Sequence, residues 1–163
     1  MTIRAAIVAA SLLCAGIASA DPWRHYKNVR FGASADVPAE WKALPPPENG
    51  DGLVFESPDG RATITISGIF GTESVAEEIA LRAKPNSGET VTYKTVGASS
   101  VVVSGTKGDR IFYRRSLASC GSEIWNDLAI EYPAARKAEY DAIVRHVSAS
   151  LRGGANGSIR KCR

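Results

Sequence analysis

Apolar and polar residues alternate strictly between Arg61 and Ser67. The apolar set is Ala62, Ile64 and Ile66, and the polar set is Thr63, Thr65 and Ser67. Side chains two apart on a strand point to the same face, so this pattern predicts a strand with one buried and one wet face. Residues 57–60 read Ser-Pro-Asp-Gly, which fits a type I turn. The segment therefore predicts a hairpin of an antiparallel sheet, with Leu53 to Glu56 as the partner strand.

Other β-rich segments predict the remaining strands of this sheet. They are Tyr26 to Val37, Thr90 to Val96, Ser100 to Ser104, Arg110 to Leu117 and Ser122 to Tyr132. Several of them are separated by glycine-containing turns, which is typical of a meander of neighbouring antiparallel strands.

Two segments have helical periodicity. The stretch Ser74 to Glu77 has the spacing of a capping box, and the helix that it starts must end before Pro85. After Pro133, apolar residues recur at the i, i+3, i+4, i+7 and i+11 positions of an amphipathic helix. These residues are Tyr140, Ile143, Val144, Val147 and Leu151. We predict an α+β fold in which two main helices cover the antiparallel sheet, the longer one being C-terminal.

The first twenty residues have the pattern of a secretory signal peptide. Arg4 precedes the apolar run Ala5 to Ile17, and small residues lead up to Ala20. The run is shorter than the roughly 20 residues that cross a bilayer. A lipid anchor on Cys14 is disfavoured because the bulky Leu13 precedes it. We expect cleavage after Ala20, export to the periplasm, and no transmembrane segment in the mature chain.

The composition fits one globular domain. The chain has 163 residues, of which 44% are hydrophobic and 23% are charged. These values argue against a disordered chain and against a disulfide-dense miniprotein. We expect a single α+β domain over residues 21–152 and a basic tail over residues 153–163. A formal net charge of +3 is too small to indicate a nucleic-acid-binding surface, so nucleic acid is not an expected partner.

Two cysteines remain after the expected cleavage, Cys120 and Cys162. Two lone cysteines in an oxidising compartment most often form a disulfide. An intramolecular bond would close a loop that includes the long helix and would contribute about 4 kcal/mol. We predict that this bond ties the tail back to the last strand. Two separate thiols and an intermolecular bond are the alternatives.

The opening and the close of the expected domain contain familiar motifs. Residues 26–32 read Tyr-x-Asn-x-x-Phe-Gly and run into Val-Pro-Ala-Glu-Trp at 37–41. A predicted strand ends at Glu131 to Pro133, and the helix that follows closes at Ser148 to Leu151. Together with the hairpin turn at 57–60, these motifs resemble the PsbP/Mog1/DcrB-like group of small secreted proteins.

The resemblance covers the chain from about Tyr26 to Leu151 and implies an antiparallel sheet covered by helices. It also implies a bacterial envelope protein that acts as a binding or accessory module. Members of the group share no catalytic constellation, so no catalytic residue follows from the resemblance. The two cysteines and the glycine-containing tail are not part of its pattern.

Residues suited to catalysis are scarce. The only histidines are His25 and His146, and no metal-binding, nucleophile-elbow or phosphate-loop spacing occurs. A serine hydrolase would combine a residue such as Ser119 with His146 and either Asp127 or Asp141. Only the three-dimensional arrangement of these residues could identify such a triad. We predict no catalytic residue, no metal ligand and no cofactor.

Aromatic and basic residues are the candidates for a binding surface. They are Trp23, Tyr26, Trp125, Arg110 and Arg114. Trp125 has the opposite parity to Leu128 and Ile130, which places it on the other face of the sheet, beneath a helix or on a binding surface. We predict a non-catalytic binding or accessory protein whose partner is an envelope protein or a small ligand. A periplasmic immunity or inhibitor protein against a toxic enzyme and a small serine hydrolase are the alternatives.

Overall fold

The computed structural model describes residues 22–154 and consists of nine strands and two α-helices in that range. The strands are β1 (Trp23–Lys27), β2 (Ser34–Pro38), β3 (Lys42–Ala43), β4 (Gly52–Glu56), β5 (Thr63–Phe70), β6 (Glu89–Val96), β7 (Ser100–Lys107), β8 (Arg110–Ser119) and β9 (Ile124–Pro133). The helices are α1 (Val75–Arg82) and α2 (Lys137–Ser150). The predicted signal peptide, Cys162 and most of the basic tail lie outside the described residues.

Seven strands form one antiparallel sheet in the order β3-β4-β5-β9-β8-β7-β6. β9 is the last of these strands in the chain, yet it lies between β5 and β8. Ile130 of β9 is directly opposite Ile64 of β5 and Tyr113 of β8. The predicted α+β class, with an antiparallel sheet, two main helices and a long C-terminal helix, is confirmed.

The main core lies between one face of this sheet and a layer made of α2 and the β1–β2 hairpin. The sheet contributes Ile64, Ile66, Leu128 and Ile130, α2 contributes Tyr140 and Val147, and the hairpin contributes Ala35 and Val37. All of these side chains are buried, so they supply most of the hydrophobic stabilisation on this face. A hydrogen bond of 2.6 Å between Tyr113 Oη and Ser148 Oγ adds a polar link between β8 and α2.

The prediction of one continuous strand from Tyr26 to Val37 is wrong, because the segment forms two strands joined by a turn. The side chain of Asn28 holds the turn: its Oδ1 accepts from the Phe31 N–H at 2.7 Å, and its Nδ2 donates to Gly50 O at 2.8 Å. Side-chain bonds of this kind compete with strand pairing. Gly32 completes the turn with a φ of 80°, which glycine adopts at low cost.

The second face of the sheet is covered in part by α1. Ser74 caps this helix in the predicted capping box, in which its side chain accepts from the Glu77 N–H and Glu77 bonds back to the Ser74 N–H. Ile79 and Ala83 pack on a small apolar cluster formed by Val101, Val103 and Phe112. Since this cluster is small, much of the second face stays open beside α1.

We predict a disulfide between Cys120 and Cys162 that ties down the tail. Cys120 Sγ lies 3.7 Å from Gly154 O, so the chain after α2 returns to the start of β9. The eight residues from Gly154 to Cys162 can reach up to about 28 Å, ample for closure. The denatured, unreduced chain that starts at Asp21 is expected to show no thiol to a maleimide reagent and two thiols after reduction.

The Cys162→Ser variant is the control for this bond. It should expose one thiol and unfold more easily in urea, by about 4 kcal/mol. Two labelled cysteines in unreduced wild-type protein would contradict the prediction. A dimer on a non-reducing gel would instead identify an intermolecular bond.

Candidate functional site

A groove of about 390 Å³ lies between α1 and the open part of the second sheet face. We call it the α1 groove. Its apolar lining includes Ile69, Leu81, Val101, Val103 and Ala129, and its polar lining includes Arg82, Arg114, Ser116 and Asp127. Apolar walls with a few polar groups are typical of small-molecule sites, which have volumes of about 300–1,000 Å³.

The strand register brings the polar groups of the groove together. Ser116 on β8 lies directly opposite Val101 on β7 and Asp127 on β9. Directly opposed residues of antiparallel strands share a face and have neighbouring side chains. The register therefore places a hydroxyl and a carboxylate side by side on an apolar floor.

Arg82 connects α1 to the floor of the groove. Its guanidinium lies over the ring of Trp125, with 4.3 Å from Cζ to the ring centroid. Its Nε donates to Asp127 Oδ1 at 3.3 Å, and its Nη1 forms an ion pair with Glu78 one turn earlier on the helix. Two carboxylates and one aromatic face thus hold Arg82 in place.

Glu78 is a buried carboxylate that organises the start of α1. It accepts hydrogen bonds from the backbone N–H groups of Thr72 at 2.7 Å and Glu73 at 3.3 Å. Burial raises the pKa of Glu78, but the Thr72 N–H, Arg82 and the Glu73 N–H together lower that pKa below its ordinary value. Glu78 is therefore held as a carboxylate, and it links the loop before α1 to Arg82.

Arg114 forms the opposite wall of the groove and is equally well held. Its guanidinium lies over Phe112, its Nη2 donates to Lys84 O at 2.9 Å, and its Nη1 lies 3.0 Å from Glu89 Oε2. The Glu89 side chain is only 3% exposed. Both arginines of the groove are thus neutralised by carboxylates, and neither is left as a free cation.

Ser116 supplies the unused polar group of the groove. The residue is only 6% exposed, and its hydroxyl forms no hydrogen bond with any of residues 22–154. The Ser116 oxygen is not among the fully buried atoms of the described residues, so it keeps contact with solvent and can bond to a ligand in the groove. Ser116 is therefore the natural polar anchor for a bound molecule.

Trp125 lies on the face opposite Leu128 and Ile130, as its parity predicts, and it is fully buried there. Its Nε1 is the one fully buried side-chain nitrogen or oxygen without a hydrogen-bond partner among the described residues. Gly71 covers this edge of the indole so closely that an added Cβ would lie 3.1 Å from Nε1. Trp125 therefore supports Arg82 from below and does not line the groove.

The five candidate binding residues do not form one surface. Arg114 lines the α1 groove and Trp125 lies beneath its wall. Arg110 is outside it, where it pairs with Glu131 and donates to a backbone carbonyl. Trp23 and Tyr26 lie in the hairpin that packs on the opposite face of the sheet.

Sequence reasoning did not select Arg82, Ser116 or Asp127 as binding residues. The position of Arg82 in the last turn of α1 is readable from the capping box, but its contact with Trp125 is not. The pairing of Ser116 with Asp127 depends on strand register, which alternation alone does not determine.

The structure does not assemble the hydrolase combination. Ser119 Oγ accepts from Asn126 Nδ2 at 2.9 Å, and Asp127 pairs with Arg82. Asp141 pairs with Lys137, and His146 lies against Asp36. Each member of the proposed triad thus has a different partner.

Two features are absent from the described part of the chain. Between residues 22 and 154, no group of three or more His, Cys, Asp or Glu side chains is arranged to hold a metal ion. In the same range, neither α-helix is long and apolar enough to cross a membrane.

Comparisons with known proteins identify the fold. Neither a protein-family model nor a curated protein sequence matches the chain. Among solved structures, PsbP (CyanoP) of Synechocystis sp. PCC 6803 is 9% identical with a TM-score of 0.60, covering 86% of this chain and 96% of its own. LpqN of Mycobacterium tuberculosis, described as involved in cell envelope biogenesis, is 15% identical with a TM-score of 0.52, covering 82% and 86%.

A third similar structure is the Ran-binding protein Mog1p of Saccharomyces cerevisiae. It is 8% identical with a TM-score of 0.50, covering 80% of this chain and 95% of its own. At these identities the similarity concerns architecture. The chain has a PsbP/Mog1-like fold.

The Glu78→Gln variant is expected to be less stable than wild type by about 3 kcal/mol at neutral pH, because it leaves the half-buried Arg82 without its main counter-charge. The pKa of folded Glu78 is lowered, so its contribution is present above the ordinary value of 4.5 and is lost as the pH falls through the folded value. The difference between variant and wild type should therefore shrink in acid. Urea unfolding at a series of pH values measures it.

Glu48→Gln is the matched control, since Glu48 is exposed. It should change the stability by less than about 0.5 kcal/mol at every pH. A Glu78→Gln effect that is small at neutral pH, or that is the same in acid, would contradict the role given to Glu78.

Proposed function

We propose that this chain is an exported, periplasmic, non-catalytic binding or accessory protein of the cell envelope, and that the α1 groove is its ligand site. The observation that carries the proposal is that one concavity combines an apolar lining and fixed walls with the hydroxyl of Ser116. This hydroxyl keeps contact with solvent and has no hydrogen-bond partner in the described chain.

The charges of the groove indicate the kind of ligand. Arg82 is paired with Glu78 and Asp127, and Arg114 is paired with Glu89. A charged ligand would have to compete with these ion pairs or remain unpaired in a partly buried site, which is costly. The groove therefore suits a small, uncharged, largely apolar molecule with one group that hydrogen-bonds to Ser116.

Two of the similar structures support a binding role in an envelope compartment. LpqN is described as involved in cell envelope biogenesis, and Mog1p is described as a Ran-binding protein. Fold alone does not determine function, so these likenesses support the proposal only through architecture. The signal-peptide pattern of residues 1–20 supports export by an independent route.

Binding of N-phenyl-1-naphthylamine, an uncharged fluorophore, tests the groove. We expect a saturable rise in fluorescence with wild-type protein. Ala129→Phe places a ring in the groove and should weaken binding by at least about tenfold, equivalent to about 1.4 kcal/mol. Ala98→Phe is the control, because Ala98 is exposed and is not among the lining residues.

Both variants must first show a wild-type thermal transition. Equal binding by the two variants would place the fluorophore elsewhere and contradict the groove assignment. Absence of binding by the wild-type protein would contradict the proposed preference for uncharged apolar ligands.

Export has its own test. When the full chain is produced in a Gram-negative host, the protein is expected in the osmotic-shock fraction with Asp21 as its first residue. Replacing Ala18 and Ala20 by arginine should block processing and leave a larger precursor. A wild-type protein that begins at its initiating methionine in the cytoplasmic fraction would refute the predicted signal peptide.

A further inference from the structure

A second cavity, of about 330 Å³, lies between the first turns of α2 and the turn that joins β4 to β5. We call it the α2 cavity. Its charged lining consists of Glu40, Asp59, Arg136 and Glu139, and its aromatic lining consists of Trp41 and Tyr140. None of these residues lines the α1 groove, so the two cavities are separate. A volume of this size is within the range of ligand sites.

The two aromatic residues have polar atoms that the fold leaves unused. Trp41 is 3% exposed and Tyr140 is 4% exposed. Trp41 Nε1 and Tyr140 Oη form no hydrogen bond with any of residues 22–154, yet neither atom is fully buried. Because both residues line the cavity and are otherwise covered, these atoms are available to a bound molecule. They supply one N–H donor and one hydroxyl that can donate or accept.

The faces of the rings are covered by other parts of the protein. Tyr132 is stacked on Tyr140 with 4.9 Å between the ring centroids. The Arg136 guanidinium lies over the Tyr140 ring, with 5.3 Å from Cζ to the centroid. Trp41 and Tyr140 meet edge to face, with 6.4 Å between centroids. A ligand therefore contacts the polar edges of Trp41 and Tyr140 by hydrogen bonding, because stacking on their faces is blocked.

Arg136 already neutralises two of the carboxylates that line the cavity. Its Nη1 forms an ion pair with Asp59, and its Nη2 and Nε donate to Glu139 Oε2 at 2.7 and 2.9 Å. Hydrogen bonds from the Ser57 hydroxyl, a backbone N–H and Arg136 lower the pKa of Asp59 to about 2. The pKa of Glu139 is lowered mainly by its hydrogen bonds from Arg136. Both carboxylates are therefore ionised near neutral pH and already paired.

Glu40 is the lining carboxylate whose charge remains available. It is exposed and forms no hydrogen bond or ion pair with any residue that the structure describes. The lining has three carboxylates and one guanidinium, which gives a formal charge of −2. An anion in the cavity would be close to all three carboxylates, whereas a cation can pair with Glu40.

The charged residues next to the lining do not decide which ligand binds. They include Arg24, Lys42, Glu56, Arg61, Lys137 and Asp141. Lys42 is directly opposite Glu56 on the neighbouring strand, and Lys137 pairs with Asp141. Arg24 donates to Trp41 O at 2.9 Å, and Arg61 is exposed. Since these cations offset the charge of the lining at a distance, a ligand is selected by direct contact with the lining.

We propose that the α2 cavity binds a basic side chain, of lysine or arginine, that a partner polypeptide presents. The ammonium or guanidinium group pairs with Glu40. A main-chain carbonyl next to that side chain accepts from Trp41 Nε1 and bonds to the Tyr140 hydroxyl. This function is independent of ligand binding in the α1 groove.

The two kinds of polar group in the cavity distinguish this ligand from others. The indole N–H can only donate, so it needs an acceptor, whereas the Glu40 carboxylate needs a donor. A polypeptide has a carbonyl beside each basic side chain and so supplies both. A simple alkyl amine has the cation without the carbonyl, and a neutral sugar has acceptors without the cation.

Titration of the ¹⁵N-labelled protein with Nα-acetyl-arginine amide tests the proposal by NMR. The chain has three tryptophans, and Trp41→Phe identifies the indole N–H signal of Trp41 by its absence. We expect a saturable shift of this signal and no shift of the Trp125 indole, which is fully buried and outside the lining. The citrulline analogue has nearly the same shape without the charge and should bind at least about threefold more weakly.

Two pairs of variants test the contacts. Glu40→Gln should weaken binding at least about threefold, whereas Glu48→Gln, at another exposed glutamate outside the lining, should not change it. Tyr140→Phe removes only the hydroxyl and should weaken binding about fivefold. Tyr93→Phe is its control, because Tyr93 is exposed and outside the lining. All variants must first show a wild-type thermal transition.

Four results would overturn the proposal. Equal binding of the arginine and citrulline probes would mean that the charge is not recognised. Equal binding of 1-propylguanidine, which has the cation without the amide, would identify an amine ligand and not a polypeptide. Equal loss in Glu40→Gln and Glu48→Gln would mean that only net charge matters. A Trp41 signal that does not move up to the solubility limit of the arginine probe would exclude a basic residue from the cavity.

Discussion

The insertion of β9 between β5 and β8 is the constraint on which the rest of the structure depends. Because side chains alternate along a strand, β9 supplies Leu128 and Ile130 to the core beneath α2 and Trp125 and Asp127 to the opposite face. The same ladder thus determines both the main core and the floor of the groove. A slip of one residue would exchange these two sets, so burial of the apolar set enforces the register on which the groove depends.

The two faces of the sheet are stabilised in different ways. Under α2, large apolar side chains are buried and the hydrophobic effect dominates. Under α1 the apolar cluster is small, and Glu78 and Arg82 hold the helix through backbone, carboxylate and aromatic contacts. These hydrogen bonds and ion pairs hold α1 in place without a large apolar cluster. A larger cluster would have filled the space that is now the groove.

The sequence predicts the secondary-structure elements better than it predicts the contacts between them. Alternation, the capping box and the 3.6-residue period predict most of the strands, α1 and α2, because each is a local property. The turn at Asn28 was missed because the alternation that continues to Val37 was read as one strand, although the Asn28 bond to the Phe31 N–H is local. The pairing of Ser116 with Asp127 and the contact of Arg82 with Trp125 depend on register and helix placement. The candidate site consists mainly of contacts between residues that are far apart in the chain, so little of it was predictable.

Basic residues that are neighbours in the sequence do not form one charged surface in the fold. Arg114 and Arg115 are neighbours in the chain, but strand alternation sends them to opposite faces, where Glu89 and Ser148 O engage them. Each arginine of β8 is thus engaged within the fold, and Arg110, Arg114 and Arg115 do not form a cluster in space.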